Sequence, residues 1–298
     1  MSKTKSFDGD DEFELRVDPV KDKTALIKDN CNGYGSFNNP ISENRMPFKK
    51  KEKVCLCQVA KCCGCHTNPK TDEKVVCSDC CTHKITEQDT DAYGSITFVG
   101  FERTTQARYV RLSNSTDPAE VTKFMMSQWQ FGEKSQLLIS IIGSAKAYSA
   151  KSDFEKKFKK GLRKVSRMTN ALVFTGGTNF GIMKVVGNAL RDVSQLDSTS
   201  SVYAQSRAVR CIGILPWGVV PKSAELVKPY EENKVKFNIK LPKQRFLDQN
   251  HTHFLMVDDG SKNKFYAEID FKHALEKYII DNGVPGKAGI ASFYLKLE

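Results

Sequence analysis

The amino-acid sequence predicts an α/β fold: a Rossmann-like, doubly wound and mostly parallel sheet with helices on both faces, preceded by a disordered and Cys-rich N-terminal extension. Short, uniformly apolar segments such as Ala171–Phe174 alternate with longer segments such as Phe180–Val193, whose apolar residues recur at helical spacing. Each apolar segment ends in small or polar residues. Connections of this length between strands imply right-handed crossovers and a parallel sheet.

The predicted elements follow one another from Ser95 to the C-terminus, and a charged insertion at Leu226–Asp248 interrupts them. Strands are predicted where short apolar runs end in glycine, proline or charge, at Ser95–Val99, Tyr109–Leu112, Leu137–Ile142, Ala171–Phe174, Val209–Leu215, Phe254–Val257 and Ile290–Leu297. Helices are predicted where the apolar residues have helical spacing, at Pro118–Trp129, Asp153–Thr169, Phe180–Val193 and Glu268–Ile280.

The composition divides the chain into three parts. Residues 1–53 are charged and polar without hydrophobic periodicity, which predicts a disordered N-terminus. Residues 54–94 form a Cys-rich segment, and residues 95–298 are predicted to form a folded α/β domain. Because the last predicted strand reaches the end of the chain, we expect this domain to be truncated at its C-terminus, in a fragment, a short isoform or a stand-alone protein.

The cysteine cluster suggests a metal site. Cys62-x-x-Cys65 and Cys77-x-x-Cys80 have spacings like those of zinc ligands, although the separation between the pairs is slightly short. The alternative is a loop with free thiols. The prediction favours that alternative, so no metal site is predicted.

The net charge of +11 raises the question of a nucleic-acid partner. Much of the excess lies on the predicted helix Asp153–Thr169, whose cations are not interleaved with the aromatic residues that a stacking surface requires. We therefore expect no nucleic acid and interpret the cations as a solvated face or a surface for an acidic partner chain, with anionic lipid headgroups as a further alternative. The longest apolar runs, such as Leu137–Ile142, are too short to span a membrane, and the N-terminus has no secretory signal. The expectation is a soluble, intracellular chain without a transmembrane segment.

Four predicted strands end in residues that suit a ligand site. Carboxyl ends of parallel strands meet at one edge of the sheet, where doubly wound folds bind ligands. A glycine-rich strand-to-helix turn there presents backbone N–H groups to a phosphate. Thr175 and Thr178 can donate hydroxyl groups, Lys184 could neutralise a phosphate, Trp217 could stack on a base, and Asp258 or Asp259 could accept hydrogen bonds from a ribose. The candidate nucleotide-binding residues are Gly143, Ser144, Ala145, Thr175, Gly176, Gly177, Thr178, Asn179, Gly181, Lys184, Trp217, Gly218, Asp258 and Asp259.

The interpretation without a ligand is also open for these residues. The glycines could merely permit tight turns, Trp217 could pack in the core, and Asp258-Asp259-Gly260 could be an ordinary turn. Lys184 could be an exposed helix lysine. His251 and His253 have no nucleophile arrangement near them in the sequence, so they are interpreted as capping or core polar residues.

The segment TGGTNFGIMKVVGNALRD, Thr175–Asp192, closely resembles the cytoplasmic N-terminal region of melastatin-type transient receptor potential (TRPM) cation channels. Further matching segments follow in the order of that family: Ala107–Thr116, Leu137–Lys146, Ile212–Val220, His251–Gly260 and Glu268–Ile279. The resemblance covers the chain from about Ser95 onward. It implies a nucleotide-binding-like domain of the SLOG superfamily, and several motifs in register make it specific.

The resemblance implies the cytoplasmic sensory and assembly domain of a Ca²⁺-permeable cation channel, without the pore. It implies as partners the other subunits of a homotetramer and downstream cytoplasmic and membrane regions, on the cytoplasmic side of a plasma membrane. Some family members bind ADP-ribose or a related adenosine nucleotide through a tyrosine and an arginine, which match Phe265 and Lys272 here. If the register shifts by one residue, Tyr266 takes the place of Phe265 in this match. Because Phe265 lacks the hydroxyl and a lysine cannot replace a two-pronged arginine donor, we expect weak affinity for ADP-ribose.

An alternative is a stand-alone nucleotide-binding protein or a nucleotide-processing enzyme of the same superfamily. Enzymes of this fold that cleave nucleotide glycosidic bonds place an acidic residue on the helix after the glycine loop. Here that helix has no carboxylate before Asp192, too far along to reach the turn. The prediction is therefore a domain that is not an enzyme and has no catalytic residues.

Overall fold

A nine-stranded sheet forms the centre of the protein in the computed structural model, which describes residues 14–17, 46–55, 65–67, 74–76, 83–99, 104–131, 137–143, 152–196, 209–228, 232–238, 247–283 and 291–297. The strands are β1 (Glu14–Val17), β2 (Lys49–Cys55), β3 (Cys65–Thr67), β4 (Lys74–Val76), β5 (His83–Asp89), β6 (Tyr93–Val99), β7 (Thr105–Ser113), β8 (Leu137–Gly143), β9 (Leu172–Thr175), β10 (Arg210–Pro216), β11 (Asn233–Asn238), β12 (His253–Asp258) and β13 (Ala291–Leu297). The helices are α1 (Pro118–Ser127), α2 (Ser152–Thr169), α3 (Gly181–Leu196) and α4 (Ile269–Asn282).

The order of strands in the large sheet is β1-β13-β8-β9-β10-β12-β7-β6-β11. The six strands from β13 to β7 are mutually parallel, whereas β1 and β6 run antiparallel to their neighbours β13 and β7. The remaining strands form two small antiparallel pairs, β2 with β5 and β3 with β4. The predicted mostly parallel α/β sheet is confirmed.

Helices cover both faces of the parallel strands. Alternate residues of β8, β9, β10 and β12 pack with α1 and α4 in one core, which we call face A. The intervening residues of β8 and β9 pack with α2 and α3 on the opposite face, face B, where the segment 217–228 covers β10 and β12. This alternation explains why the strand sequences are apolar without interruption, since both of their faces are buried.

The insertion predicted at Leu226–Asp248 contains a strand that the sequence pattern did not indicate. Residues Asn233–Asn238 form β11, which pairs in parallel with β6 at the edge of the sheet. Exposed Lys234 and Lys236 alternate with buried Val235, a pattern too short to stand out in a charged segment. The helix predicted at Phe180–Val193 extends to Leu196.

Residues 46–53 are integrated into the fold, although the sequence analysis assigned them to a disordered N-terminus. Phe48 is buried in the face A core, where its ring lies 4.9 Å from that of Phe124 in an edge-to-face arrangement. Strand β2 then pairs with β5 to form a hairpin. This strand has no periodic apolar face and begins with three consecutive lysines, Lys49–Lys51, so its sequence does not indicate a strand. It is held in the fold by one aromatic ring and by several ion pairs.

The glycine in the middle of α2 offers a test of the helix packing. Gly161 is exposed, and a Cβ added there would meet no atom within 4 Å. Because glycine is about 1 kcal/mol less favourable than alanine inside a helix, Gly161→Ala is expected to raise the free energy of unfolding by about 0.5–1 kcal/mol. Urea unfolding followed by circular dichroism measures the change, and a loss of stability would contradict the exposed position.

Candidate functional site

The carboxyl ends of the four strands singled out in the sequence meet at one edge of the sheet. Strands β8, β9, β10 and β12 are consecutive neighbours, and each is parallel to the next. Gly143, the glycine turn after β9, Trp217 after β10 and Asp258 at the end of β12 therefore lie along the same edge. The predicted convergence is confirmed for these strands, while Ser144 and Ala145 lie outside the described residues.

The helices that follow these strands pack on opposite faces of the sheet. Helices α2 and α3, which follow β8 and β9, pack on face B, whereas α4, which follows β12, packs on face A. Doubly wound folds bind ligands beyond the carboxyl ends of their strands, where the connections part to opposite faces. We call the region between the glycine turn and the N-terminus of α4 the crevice, and it is the candidate site.

The glycine turn is shaped by close backbone packing at its second glycine. Gly177 has φ +68°, and a Cβ there would lie 2.8 Å from the Cα of Gly213 on β10. At Gly176, by contrast, a Cβ would meet only the Met183 side chain, at the ordinary contact distance of 3.8 Å. The packing against β10 explains why position 177 is a glycine. Gly176 is half-buried, and the space beside it would accept a Cβ atom.

A buried hydrogen-bond chain holds the glycine turn from behind. The Thr175 hydroxyl lies 2.7 Å from Nε2 of His251, and Nδ1 of His251 lies 2.7 Å from Oδ2 of Asp248. The N–H of Gly177 donates to the Thr175 hydroxyl oxygen, and the N–H of Asp248 donates to the Gly177 carbonyl, both at 2.9 Å. Because Thr175, His251 and Asp248 are all buried, the hydroxyl cannot reach a substrate, and the chain serves to fix the turn.

The electrostatics of His251 suit this role. Burial alone would lower the pKa of His251, but Cys211 and Asp248 favour the protonated ring and hold that pKa above its usual value. His253, two residues later, has the opposite balance. Its pKa is lowered to about 3 by burial and by the charges of Arg108 and Arg210. Its ring packs against Trp129 and Phe131, so both histidines are core polar residues, as the sequence predicted.

Asp258 forms a buried ion pair instead of an open acceptor for a ribose. Nε and Nη2 of Arg111 donate to its Oδ2 at 2.9 and 2.6 Å, and the N–H of Lys51 donates to the same oxygen at 3.1 Å. Its Oδ1 accepts from the N–H of Gly260 at 2.9 Å. With its side chain 2% exposed, Asp258 already has partners on both oxygens.

The β2–β5 hairpin is tied to the same edge through this ion pair. Nη1 of Arg111 reaches Oδ1 of Asp91 at 3.1 Å, and Lys50 pairs with the other oxygen of Asp91. Next to it, Glu87 of β5 accepts hydrogen bonds from the hydroxyls of Ser113 and Ser115, which lower the pKa of Glu87. The β2–β5 hairpin therefore packs against the carboxyl ends of β7 and β12.

Trp217 and Gly218 join two loops at the edge. Trp217 is buried, and the guanidinium of Arg111 lies 4.5 Å from its ring centroid, a cation–π contact. Gly218 is pressed against the loop after β12, because a Cβ there would lie 2.3 Å from the carbonyl oxygen of Ser261. Asp259 caps that loop by accepting from Ser261 at 2.8 Å. The contacts of Trp217, Gly218 and Asp259 therefore hold together the loops that follow β10 and β12.

The α4 side of the crevice presents apolar rings to solvent. Phe265 is 40% exposed and Tyr266 is 76% exposed, and their rings form an edge-to-face pair with centroids 6.4 Å apart. Tyr266 also has φ +76°, a backbone conformation that is costly for a residue with a side chain. Strain of this kind concentrates at functional sites, so Tyr266 is the residue of this edge that core packing explains least.

Lys272, on α4, lies among carboxylates. Its Nζ is 3.6 Å from Oε1 of Glu276, which also accepts from the Ser140 hydroxyl at 2.6 Å. Burial lowers the pKa of Lys272, although Glu276 and Glu268 oppose that shift. Burial also raises the pKa of Glu268, whose Oε2 has no hydrogen-bond partner. The charge of Lys272 is thus already shared between two carboxylates.

The other predicted residues lie in the glycine turn and in the first turn of α3. Thr178 and Asn179 are half-buried, Gly181 begins α3 with φ +52°, and Lys184 is exposed one turn later. The sequence analysis missed Arg111, Asp248 and Glu276. Arg111 could have been identified as a structural residue because it is a charged residue within an apolar strand. The sequence around Asp248 and Glu276 has no comparable pattern.

No group of three or more histidine, cysteine, aspartate or glutamate residues suited to a metal occurs among the residues that the structure describes. The predicted cysteine pairs cannot be judged there, since Cys62, Cys77 and Cys80 lie outside those residues and only the backbone of Cys65 is described. In the same described ranges, no helix is long and apolar enough to cross a membrane.

A family model described as SLOG in TRPM matches residues 107–290, from β7 through α4 and the connection that follows. The chain belongs to this family. The match covers every strand that contributes to the crevice, so the SLOG domain is the part of the chain that forms the candidate site.

Individual relatives carry TRPM names. The chain is 33% identical over 222 residues to transient receptor potential cation channel subfamily M member-like 2 of Nematostella vectensis, covering 72% of this chain and 14% of that protein. It is 37% identical over 194 residues to the Drosophila melanogaster channel trpm, covering 64% and 9%. It is 34% identical over 232 residues to the human subfamily M member 7, covering 76% and 11%. The chain therefore spans only 9–14% of the length of these curated relatives.

Proposed function

We propose that this SLOG domain is a sensory and assembly domain of a TRPM-type, Ca²⁺-permeable cation channel, on the cytoplasmic side of its membrane. The relatives are named as cation channels of the transient receptor potential family. In this proposal the domain packs against the other subunits of a homotetramer and against downstream regions of the channel. Sequencing of full-length transcripts tests this context, because a transcript that ends after residue 298 without a pore region would favour a stand-alone protein.

We further propose that the crevice between the glycine turn and α4 binds an adenosine nucleotide that modulates gating. The observation that supports this most is Tyr266, which is strained and exposed beside Phe265 at the edge where doubly wound folds bind ligands. An exposed aromatic pair offers a base a stacking surface. Half-buried Gly176 leaves the backbone of the opposite turn open to a phosphate, and Lys184 supplies a positive charge one turn along α3.

The charges on the α4 side limit the expected affinity. Lys272 shares its charge with Glu276 and Glu268, so an incoming phosphate meets a locally anionic cluster rather than a free cation. A single ammonium also cannot make the paired contacts of an arginine. We therefore expect ADP-ribose to bind weakly, through stacking and backbone contacts more than through Lys272.

Titration calorimetry with ADP-ribose tests this site. The full chain is required, because Phe48 and the β2–β5 hairpin are part of the fold. The double variant Phe265→Tyr/Lys272→Arg is expected to bind about 10- to 100-fold more tightly than wild type, since one charge-assisted hydrogen bond contributes about 1.5–3 kcal/mol. Lys262→Arg, an exposed lysine in the same loop, is the matched control and should leave the affinity unchanged.

Two results would count against the proposal. Submicromolar binding by wild type would show that the exchanges at Phe265 and Lys272 do not matter. Absence of binding by wild type and by the double variant would indicate a purely structural domain.

A further inference from the structure

Helix α2 has a cationic outer face. Its apolar side chains Phe154, Phe158 and Leu162 turn toward the face B core. Lys157, Lys160 and Lys164 recur every three or four residues on the opposite side and are exposed, with Lys156 beside them. Seven lysines and arginines and only two acidic residues occur along the 18 residues of this helix.

The helix does not neutralise this face itself. Asp153 lies 3.9 Å from Lys156, and Glu155 pairs with Lys159. Among the described residues, no ion pair involves Lys157, Lys160 or Lys164. Three cations on successive turns therefore repel one another, and an anionic segment laid along the helix would relieve that repulsion.

The same chain carries a segment of matching charge. Residues 8–12 read DGDDE, which places four carboxylates in five residues without an intervening cation. Phe7 and Phe13 flank them. The charge pattern complements α2 in sign and in density.

The strand that follows this segment, β1, begins at the same edge of the sheet at which β8 ends. Glu14 pairs with Lys296 on β13, and Lys296 pairs in turn with Ile142 near the carboxyl end of β8. Residue 14 therefore lies at the edge from which the chain leaves β8 toward α2. Two strand spacings separate β1 from β8, about 10 Å, and six extended residues reach about 20 Å, enough to arrive at the first turns of the helix.

We propose that the acidic segment 8–12 docks on the cationic face of α2 in the same chain. The carboxylates pair with Lys157 and Lys160, which lie in the first half of α2. The segment then covers a surface that would otherwise attract other acidic chains. This inference does not depend on nucleotide binding, because the candidate nucleotide-binding residues include none from α2 or from residues 8–12.

Zero-length carbodiimide cross-linking of the full chain, with peptide mapping by mass spectrometry, tests the contact. Amide bonds are expected between carboxylates of residues 8–12 and Lys157 or Lys160. They should fall by at least about tenfold at 0.5 M salt, since surface charge pairs are screened over a few ångströms there. An equal mixture of ¹⁴N and ¹⁵N protein separates the two cases, because cross-links within one chain give no mixed-isotope products. A mixed-isotope share near the random value of about one half would overturn docking in the same chain.

A peptide experiment supplies the second readout. The full chain carrying Asp8→Asn, Asp10→Asn, Asp11→Asn and Glu12→Gln should bind a synthetic peptide of residues 5–15 in trans. Adding Lys157→Glu and Lys160→Glu should weaken that binding by about tenfold or more. The matched control is Lys234→Glu/Lys236→Glu on β11, which makes the same charge change on another exposed surface. Equal loss in both variants, or cross-links spread evenly over exposed lysines, would overturn the proposal.

Discussion

Replacement of Asp258 by alanine is expected to lower the free energy of unfolding by about 3–5 kcal/mol, because it leaves the guanidinium of Arg111 buried without its main counter-charge. Arg111 and Asp258 are only 10% and 2% exposed, and two donors of Arg111 converge on one carboxylate oxygen. Urea unfolding gives the change directly. For a protein of this size, each kcal/mol lowers the melting temperature by about 2–4 °C.

The neighbouring aspartate provides the control for this experiment. Asp259 accepts from Ser261 of its own turn and lies 3.9 Å from Lys264 on the surface. Asp259→Asn keeps the turn acceptor, so its cost should stay below about 1 kcal/mol. Equal losses for Asp258→Ala and Asp259→Asn would contradict the assignment of the buried ion pair. The pair Arg111→Met/Asp258→Leu should recover part of the stability, since it removes both charges together.

Replacement of Gly187 by alanine is expected to cost about 3 kcal/mol or more, although alanine favours helices. A Cβ on Gly187 would lie 1.8 Å from Oδ2 of Asp248, the oxygen that pairs with His251. Asp248 cannot retreat without breaking the buried hydrogen-bond chain that holds the glycine turn. The variant should therefore lose stability and also lose order at Thr175–Gly177.

Gly161→Ala in α2 is the matched control, because it makes the same substitution in a helix with open space around it. The two variants should change stability in opposite directions, as measured by urea unfolding. Amide hydrogen exchange at Gly177 reports the turn separately. A Gly187→Ala protein as stable as wild type, with unchanged exchange at Gly177, would show that Asp248 can move freely.

The sequence predicted the parts of the fold whose pattern is local. The apolar runs at Leu137–Ile142 and Ala171–Phe174 and the helical spacing of Ile182, Val185 and Val186 define elements without knowledge of their neighbours. Because crossover connections join these strands in parallel, their carboxyl ends lie at one edge of the sheet. For this reason the edge at which the four strands end together could be predicted from the sequence.

The long-range polar contacts could not be predicted in the same way. Arg111 and Asp258 are 147 residues apart, and Asp248 lies in a loop whose composition gives no period. The interpretation of Asp258 as a free acceptor depended on its place at a strand end, where the sequence cannot show that Arg111 fills the space. The β2–β5 hairpin was missed for a related reason, since its attachment depends on Phe48 and on ion pairs to distant residues.

The strand order has a consequence for synthesis of the protein. β8 is made early but lies beside β13, and the Ser140 hydroxyl finds its partner Glu276 136 residues later. β7 likewise has β12 as its parallel neighbour, and α1 shares its core with α4. Such distant pairings form slowly, because the chain between them must first be closed into a loop. A ribosome must therefore deliver α4 before face A can close, and until then the nascent chain exposes α1 and the face A side of β7 and β8 to chaperones.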